Sequence, residues 1–153
     1  MLLVLTIIGV LVAATVAALS GRGETLALRV ATRDLAAAIN HAAATARSSG
    51  TAHRITFADD GRSYRVESRT NSGSYEAAPG RSGMRRLLGR GIRIERIEDD
   101  RGAVDPPLEF GDEATFSGRI TLANARSETL AVEVMPETGQ VILHERGNQA
   151  ISH

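Results

Sequence analysis

The first nineteen residues, MLLVLTIIGVLVAATVAAL, carry no charge, and the chain then turns abruptly polar. About 20 apolar residues suffice for a helix to cross the hydrocarbon of a bilayer, so the segment 1–19 is long enough to span or to anchor. With no basic region before it and no clean cleavage site after it, the run does not read as an ordinary signal peptide. It constrains the chain to one plan, an apolar helix fused to a small polar domain. The remaining residues, about 134 of them, suit one domain of ordinary size.

Composition narrows the chemistry. There is no cysteine, which excludes disulfides, thiolate nucleophiles and Cys-ligated zinc. The 18 basic residues are all arginine and are matched by 18 acids. Their distribution is uneven: 8 Arg and 6 acids in 1–80, 7 and 4 in 81–101, 3 and 8 in 102–153. A mildly basic middle and an acidic end are a poor footprint for a dedicated nucleic-acid binder. Aromatics are limited to 3 Phe and 2 Tyr, so the core must be built from Leu, Ile, Val and Ala.

From 24 to 47 the period is helical. Leu28, Leu35, Ile39, Ala42, Ala43 and Ala46 recur at spacings of three, four and seven, with Arg29, Arg33, Asp34 and Asn40 on other faces. Ser20, Gly21 and Gly23 weaken the join to the apolar run, each interior Gly costing about 1 kcal/mol against Ala. Ser48-Ser49-Gly50 ends the helix. The period then changes to two. Ile55 and Phe57, then Tyr64 and Val66, alternate around a two-residue turn expected at Asp60 and Gly61. The segment 69–86, rich in Ser, Gly and Arg, reads as a long mobile loop. Ile92, Ile94 and Ile97 mark a strand whose alternation slips after Ile94, and 99–107 reads as a turn. Leu108 and Phe110, then Phe116, Ile120 and Leu122, make two further strands, with a bulge expected at Gly118. Leu130, Val132 and Val134 alternate; 136–139 turns the chain; Val141 and Leu143 return it. The expected class is α+β: a long N-terminal helix, apolar in 1–19 and amphipathic in 20–49, packed on an antiparallel β-sandwich-like domain of about seven strands over 50–146, with a frayed tail at 147–153.

In this order the motifs resemble a type IV pilin-like protein, most of all the GspH/FimT-type minor pseudopilins of type II secretion and related pilus systems. Met1-Leu2-Leu3-Val4-Leu5-Thr6-Ile7-Ile8-Gly9-Val10-Leu11 is similar to the family's hydrophobic segment directly after its glutamate. Ala46-Arg47-Ser48-Ser49-Gly50 leading into Ile55-Thr56-Phe57 is similar to its helix end and first strand. Leu108-Glu109-Phe110-Gly111-Asp112 running into Ser117-Gly118-Arg119-Ile120-Thr121-Leu122, and Leu130-Ala131-Val132-Glu133-Val134 with Thr138-Gly139-Gln140-Val141, are similar to its later strands and closing hairpin. The family's basic leader ending in Gly, and the Phe-Thr-Leu-x-Glu after it, are not among these residues; they are expected just upstream of Met1, the alternative being a degenerate member of the family. The resemblance implies a non-enzymatic subunit without cofactor or metal. It would be held single-pass in the bacterial inner membrane with its C-terminal domain in the periplasm, and its partners would be other pseudopilins and secreted cargo. Leu2, Leu3, Val4, Leu5, Ile7, Ile8, Val10, Leu11 and Val12 would form the membrane and assembly helix.

Other constellations carry less. His41, His53, His144 and His153 lack metal-ligand spacing such as H-E-x-x-H, and no G-x-S-x-G elbow is present. Asp99, Asp100 and Asp105 raise calcium, which some pseudopilins bind, against a plain solvated turn; the spacing is not that of an EF-hand. The arginines Arg81, Arg85, Arg86, Arg90, Arg93 and Arg96 raise a FimT-like alternative, a minor pilin that binds DNA for uptake through Arg85, Arg86, Arg90 and Arg93. Glu95, Glu98, Asp99 and Asp100 are interleaved with or adjacent to them, which favours a solvated face or a protein-partner surface.

Overall fold

The computed structural model describes residues 2–111, 115–135 and 140–144, and within 2–22 the backbone alone. The chain opens with one α-helix, α1, Leu2–Ser49, about 72 Å long at 1.5 Å per residue. Its second half is amphipathic as the spacing requires. Leu28, Leu35, Ile39, Ala42, Ala43 and Ala46 are all buried, joined by Ala31 and Thr32. Alanine at four of these eight positions lets the helix axis sit close to the strands. The Thr32 hydroxyl, buried in this seam, donates to the Leu28 carbonyl at 2.7 Å, so burial leaves no orphan donor. Leu26 and Val30 lie on the opposite side, 63% and 50% exposed. The helix stops at Gly50, whose φ of 64° and N–H bond to the Ala46 carbonyl make a left-handed C-cap.

Among the described residues ten strands follow, all paired antiparallel. The first sheet holds β1 (His53–Phe57), β2 (Ser63–Arg69), β3 (Tyr75–Ala77), β4 (Arg86–Leu87) and β7 (Leu108–Phe110). Its order is β3-β2-β1-β7, with β4 beside β3 on the same edge of β2. The second sheet holds β5 (Arg93–Asp99), β6 (Gly102–Ala103), β8 (Gly118–Ala123), β9 (Thr129–Val134) and β10 (Val141–His144), ordered β10-β9-β8-β5-β6. The helix rests on both sheets, touching β1 and β7 of the first and β8, β9 and β10 of the second. It is their shared layer. Ile55, Val66, Leu108 and Phe110 from one sheet and Ile120, Leu122, Val132 and Val134 from the other meet it, with Leu88 and Ile92 filling in from the connection between sheets.

The strand count exceeds the expected seven because β3, β4 and β6 are two or three residues long, too short for alternation to register. β3 lies in 69–86 and β4 begins at its last residue. That segment, expected as a loop, is fastened at several points: a turn closed by the Thr70 N–H on the Ser74 carbonyl, then β3, then buried Ala78 donating to the Val66 carbonyl. A 3₁₀ turn (Gly80–Gly83) and β4 complete it. The turn between β1 and β2 is wider than the two residues expected, with the Ala58 N–H donating to the Ser63 carbonyl. Its Gly61 carbonyl accepts from the Ile94 N–H at 2.8 Å, tying the first sheet to the second.

The slip in alternation after Ile94 is a register shift in β5 between Ile94 and Arg96. The bulge expected at Gly118 therefore sits in the partner strand. Gly118 serves a different need: a Cβ there would lie 2.1 Å from the Glu98 carbonyl oxygen, and its φ is 152°. The turn expected at 136–139 and the tail at 147–153 lie outside the described residues.

Candidate interaction surfaces

The backbone of α1 carries Leu2, Leu3, Val4, Leu5, Ile7, Ile8, Val10, Leu11 and Val12 as one continuous helix with the amphipathic half. Among the described residues, no helix is long and apolar enough to cross a membrane; the side chains of 2–22 lie outside the description.

Where the described side chains of the helix begin, the β8–β9 hairpin clamps it. The Thr25 hydroxyl donates to Glu128 Oε2 at 2.8 Å, and Asn124 Nδ2 donates to the same oxygen at 2.6 Å. Asn124 is buried, and its Oδ1 accepts the backbone N–H groups of Arg126 and Glu128, which shapes the turn. Arg126 Nε lies 3.0 Å from Glu24 Oε2. The bonds from Thr25 and Asn124 hold the Glu128 carboxyl below its ordinary range. The hairpin thus fixes where the helix leaves the domain.

Of the four arginines singled out by sequence, Arg85 and Arg86 point to opposite sides of the first sheet. Arg85 donates from Nε to Ser63 Oγ at 2.8 Å, on the outer side of the first sheet. Arg86, in β4, pairs with Tyr64 and turns to the opposite side, toward the Tyr64 hydroxyl, which itself donates to the Asp34 carbonyl. Burial is the main reason the Tyr64 hydroxyl titrates above its ordinary value. Arg90 lies between β4 and β5, exposed, and Arg93 opens β5 in the second sheet. Asp99 Oδ1 accepts the Arg101 N–H at 2.7 Å within the β5–β6 turn, an Asx turn. Among the described residues no three acidic or histidine side chains converge as a metal site would require.

Two polar faces remain, one on the outside of each sheet. On the first, Arg54 pairs across the strands with Glu67 and with Glu109. Glu67 is only 4% exposed. Arg54 Nε donates to its Oε2 at 2.7 Å, and Arg65 bonds its other oxygen. Burial pushes the Glu67 carboxyl up, but the bonds from Arg54 and Arg65 outweigh burial and hold it below its ordinary value. The Arg54 guanidinium lies 4.1 Å from the centre of the Tyr75 ring, a cation–π contact. The Tyr75 hydroxyl meets Glu109; burial and that carboxylate raise its pKa. Arg69 pairs with Tyr75 and is exposed. None of Arg54, Glu67, Arg69 or Tyr75 was among the residues singled out above. The available signal was the polar half of the alternation, Arg54 with Thr56 and Arg65 with Glu67 and Arg69 across one hairpin.

On the second sheet the outer face carries the ion pairs Arg96–Glu98 at 3.2 Å and Arg119–Glu133 at 3.4 Å, with His144 Nε2 2.6 Å from Glu133 Oε2. Arg96, Glu98, Arg119 and His144 line an open depression of about 490 Å³ with Glu95 and Thr121.

No family model and no curated protein sequence matches the chain. Two solved structures of the minor pseudopilin EpsH, from the type 2 secretion system of Vibrio cholerae, are similar to it. One aligns at a TM-score of 0.64 with 14% identity, over 78% of this chain and 98% of that one. The other aligns at 0.60 with 13% identity, over 79% and 95%. Identity that low speaks to fold alone, and on that basis the chain has the fold of a minor pseudopilin.

Proposed function

We propose that the chain is a minor pseudopilin, a structural subunit and not an enzyme, of a type II secretion system. It would be held single-pass in the inner membrane through 1–19 and drawn from there into a short periplasmic filament. The continuous helix carries this reading: one element of 48 residues is uncharged in its first part and docked under two sheets in its second. An apolar helix surface can face lipid tails or neighbouring helices, so the same segment serves membrane residence and assembly. The likeness of the folded part to EpsH supports the reading. The β domain would contact other pseudopilins or cargo. The FimT-like alternative would use Arg85, Arg86, Arg90 and Arg93 on DNA; that Arg85 bonds Ser63 on the outer side of the first sheet while Arg86 turns toward Tyr64 favours the pseudopilin reading.

Ile8→Asp or Leu11→Asp places a charge in the apolar run, at a cost of about 2.5–3.5 kcal/mol at a bilayer centre. Either variant should be lost from the filament fraction while its β domain stays folded. Normal co-purification with partner pseudopilins would overturn the proposal.

A further inference from the structure

We infer that the outer face of the first sheet is a docking site for an acidic, extended segment of a partner protein. The inference does not depend on assembly through α1. Side chains on one face of a strand repeat at about 7 Å. Along β2 the outward positions are Arg69, Glu67, Arg65 and Ser63. Arg54 is bonded to Glu67 and Arg85 to Ser63. The guanidinium groups of Arg54 and Arg65 therefore converge on Glu67, with Arg69 one repeat toward one end of the strand and Arg85, at Ser63, toward the other. A partner segment in extended conformation presents its own alternate side chains at the same interval, so carboxylates at alternate positions can meet Arg69, the Arg54 and Arg65 pair, and Arg85 along the strand.

Three features separate this face from an ordinary solvated sheet surface. First, it carries excess charge: four arginines face two carboxylates, Glu67 and Glu109, and among the described residues no carboxylate forms an ion pair with Arg69 or Arg85. Second, it is held in place. Arg54 is fixed between Glu67 and the Tyr75 ring, and Arg65 is fixed by Glu67. Ordering such side chains on binding costs less than ordering free ones. A guanidinium has five N–H donors, and the bonds to Glu67 use one nitrogen of each arginine, leaving donors for bidentate recognition of a carboxylate. Third, arginine and tyrosine are the residue types enriched at interface hot spots. The two carboxylates embedded in the row argue for separate acidic side chains over an uninterrupted polyphosphate, because a continuous phosphate chain would be repelled at Glu67 and Glu109.

The test uses the full chain in detergent micelles and a fluorescent peptide of alternating Glu and Thr, with anisotropy for affinity and amide chemical shifts for location. The peptide should bind with salt-sensitive affinity and shift the amides of β2 and β3. Arg69→Glu combined with Arg85→Glu should weaken binding about tenfold or more, and Arg96→Glu combined with Arg119→Glu on the second sheet should leave it within about twofold. An oligothymidylate should bind the same face more weakly. Absence of peptide binding, equal binding by the Arg69/Arg85 variant, or tighter binding of the oligothymidylate to β2 and β3 would each overturn the inference.

Discussion

The two outer sheet faces use the same alphabet of arginine and glutamate and reach opposite results. On the second sheet the ion pairs are largely exposed and locally matched, Arg96 with Glu98 and Arg119 with Glu133, and His144 also lies against Glu133. Pairs of this kind contribute little, because water competes for both partners and holding two long side chains together has an entropic cost. On the first sheet one carboxylate, Glu67, is buried and shared between two arginines, one of them stacked on an aromatic ring. Shielding from water strengthens those bonds and makes them costly to break. The arginines beyond Glu67 give that face an excess of donors. Strand alternation supplies both faces with charge; what covers the charge decides whether it holds structure, binds a partner, or does little of either.

The largest effect comes from the support the two faces share. Leu35 is fully buried in the helix under both sheets. Leu35→Ala should cost about 2–5 kcal/mol in urea unfolding, and hydrogen exchange should show both sheets losing protection together. If one sheet kept its protection, the contrast between faces would be one between separately folding units.

The next effect tests the contrast directly. Glu67→Gln removes the charge that holds Arg54 and Arg65 and should cost about 1–3 kcal/mol, whereas Glu133→Gln on the other face should change stability by about 0.5 kcal/mol or less. Equal costs would erase the distinction. The pH dependence has a definite sign. The folded Glu67 carboxyl titrates below its ordinary value, so its stabilisation is fully present above the unfolded value of about 4.3 and is lost as pH falls through the lower folded value. The gap between wild type and Glu67→Gln should therefore be constant at neutral pH and close in acid below the ordinary carboxylate range. A gap that persisted there would assign Glu67 a packing role instead of an ionic one.

Legibility in the sequence followed the strength of local patterns. The helix face from Leu28 to Ala46 was readable because the apolar spacing is helical and each position is buried. The strands β1, β2, β7, β8 and β9 were readable through alternating apolar residues, and the slip after Ile94 was a true bulge seen from its own strand. What escaped was short or non-local. β3, β4 and β6 are too brief to show a period, and their pairing depends on where β2 and β5 already lie. The arginines Arg85, Arg86, Arg90 and Arg93 looked like a group because they are close in sequence. Strand alternation sends Arg85 and Arg86 to opposite sides, and Arg93 belongs to the second sheet. Arg54, Arg65 and Arg69 are drawn together by a hairpin register and completed by Tyr75 from a third strand. Sequence order groups residues that a sheet separates, and the sheet groups residues that sequence order separates.

The smallest expected effect is also the most specific to the second face. Arg96→Ala and Arg119→Ala should each cost about 0.2–1 kcal/mol at low salt and less at high salt, because exposed pairs are screened. The bonds to Glu67 are partly removed from solvent, so the cost of Glu67→Gln should change less across the same salt series. The two slopes compare the faces without reference to the size of either cost. If Glu67→Gln lost its penalty in salt as fully as Arg119→Ala does, burial of the carboxylate would have no energetic consequence, and the first face would be a ladder of the same kind as the second.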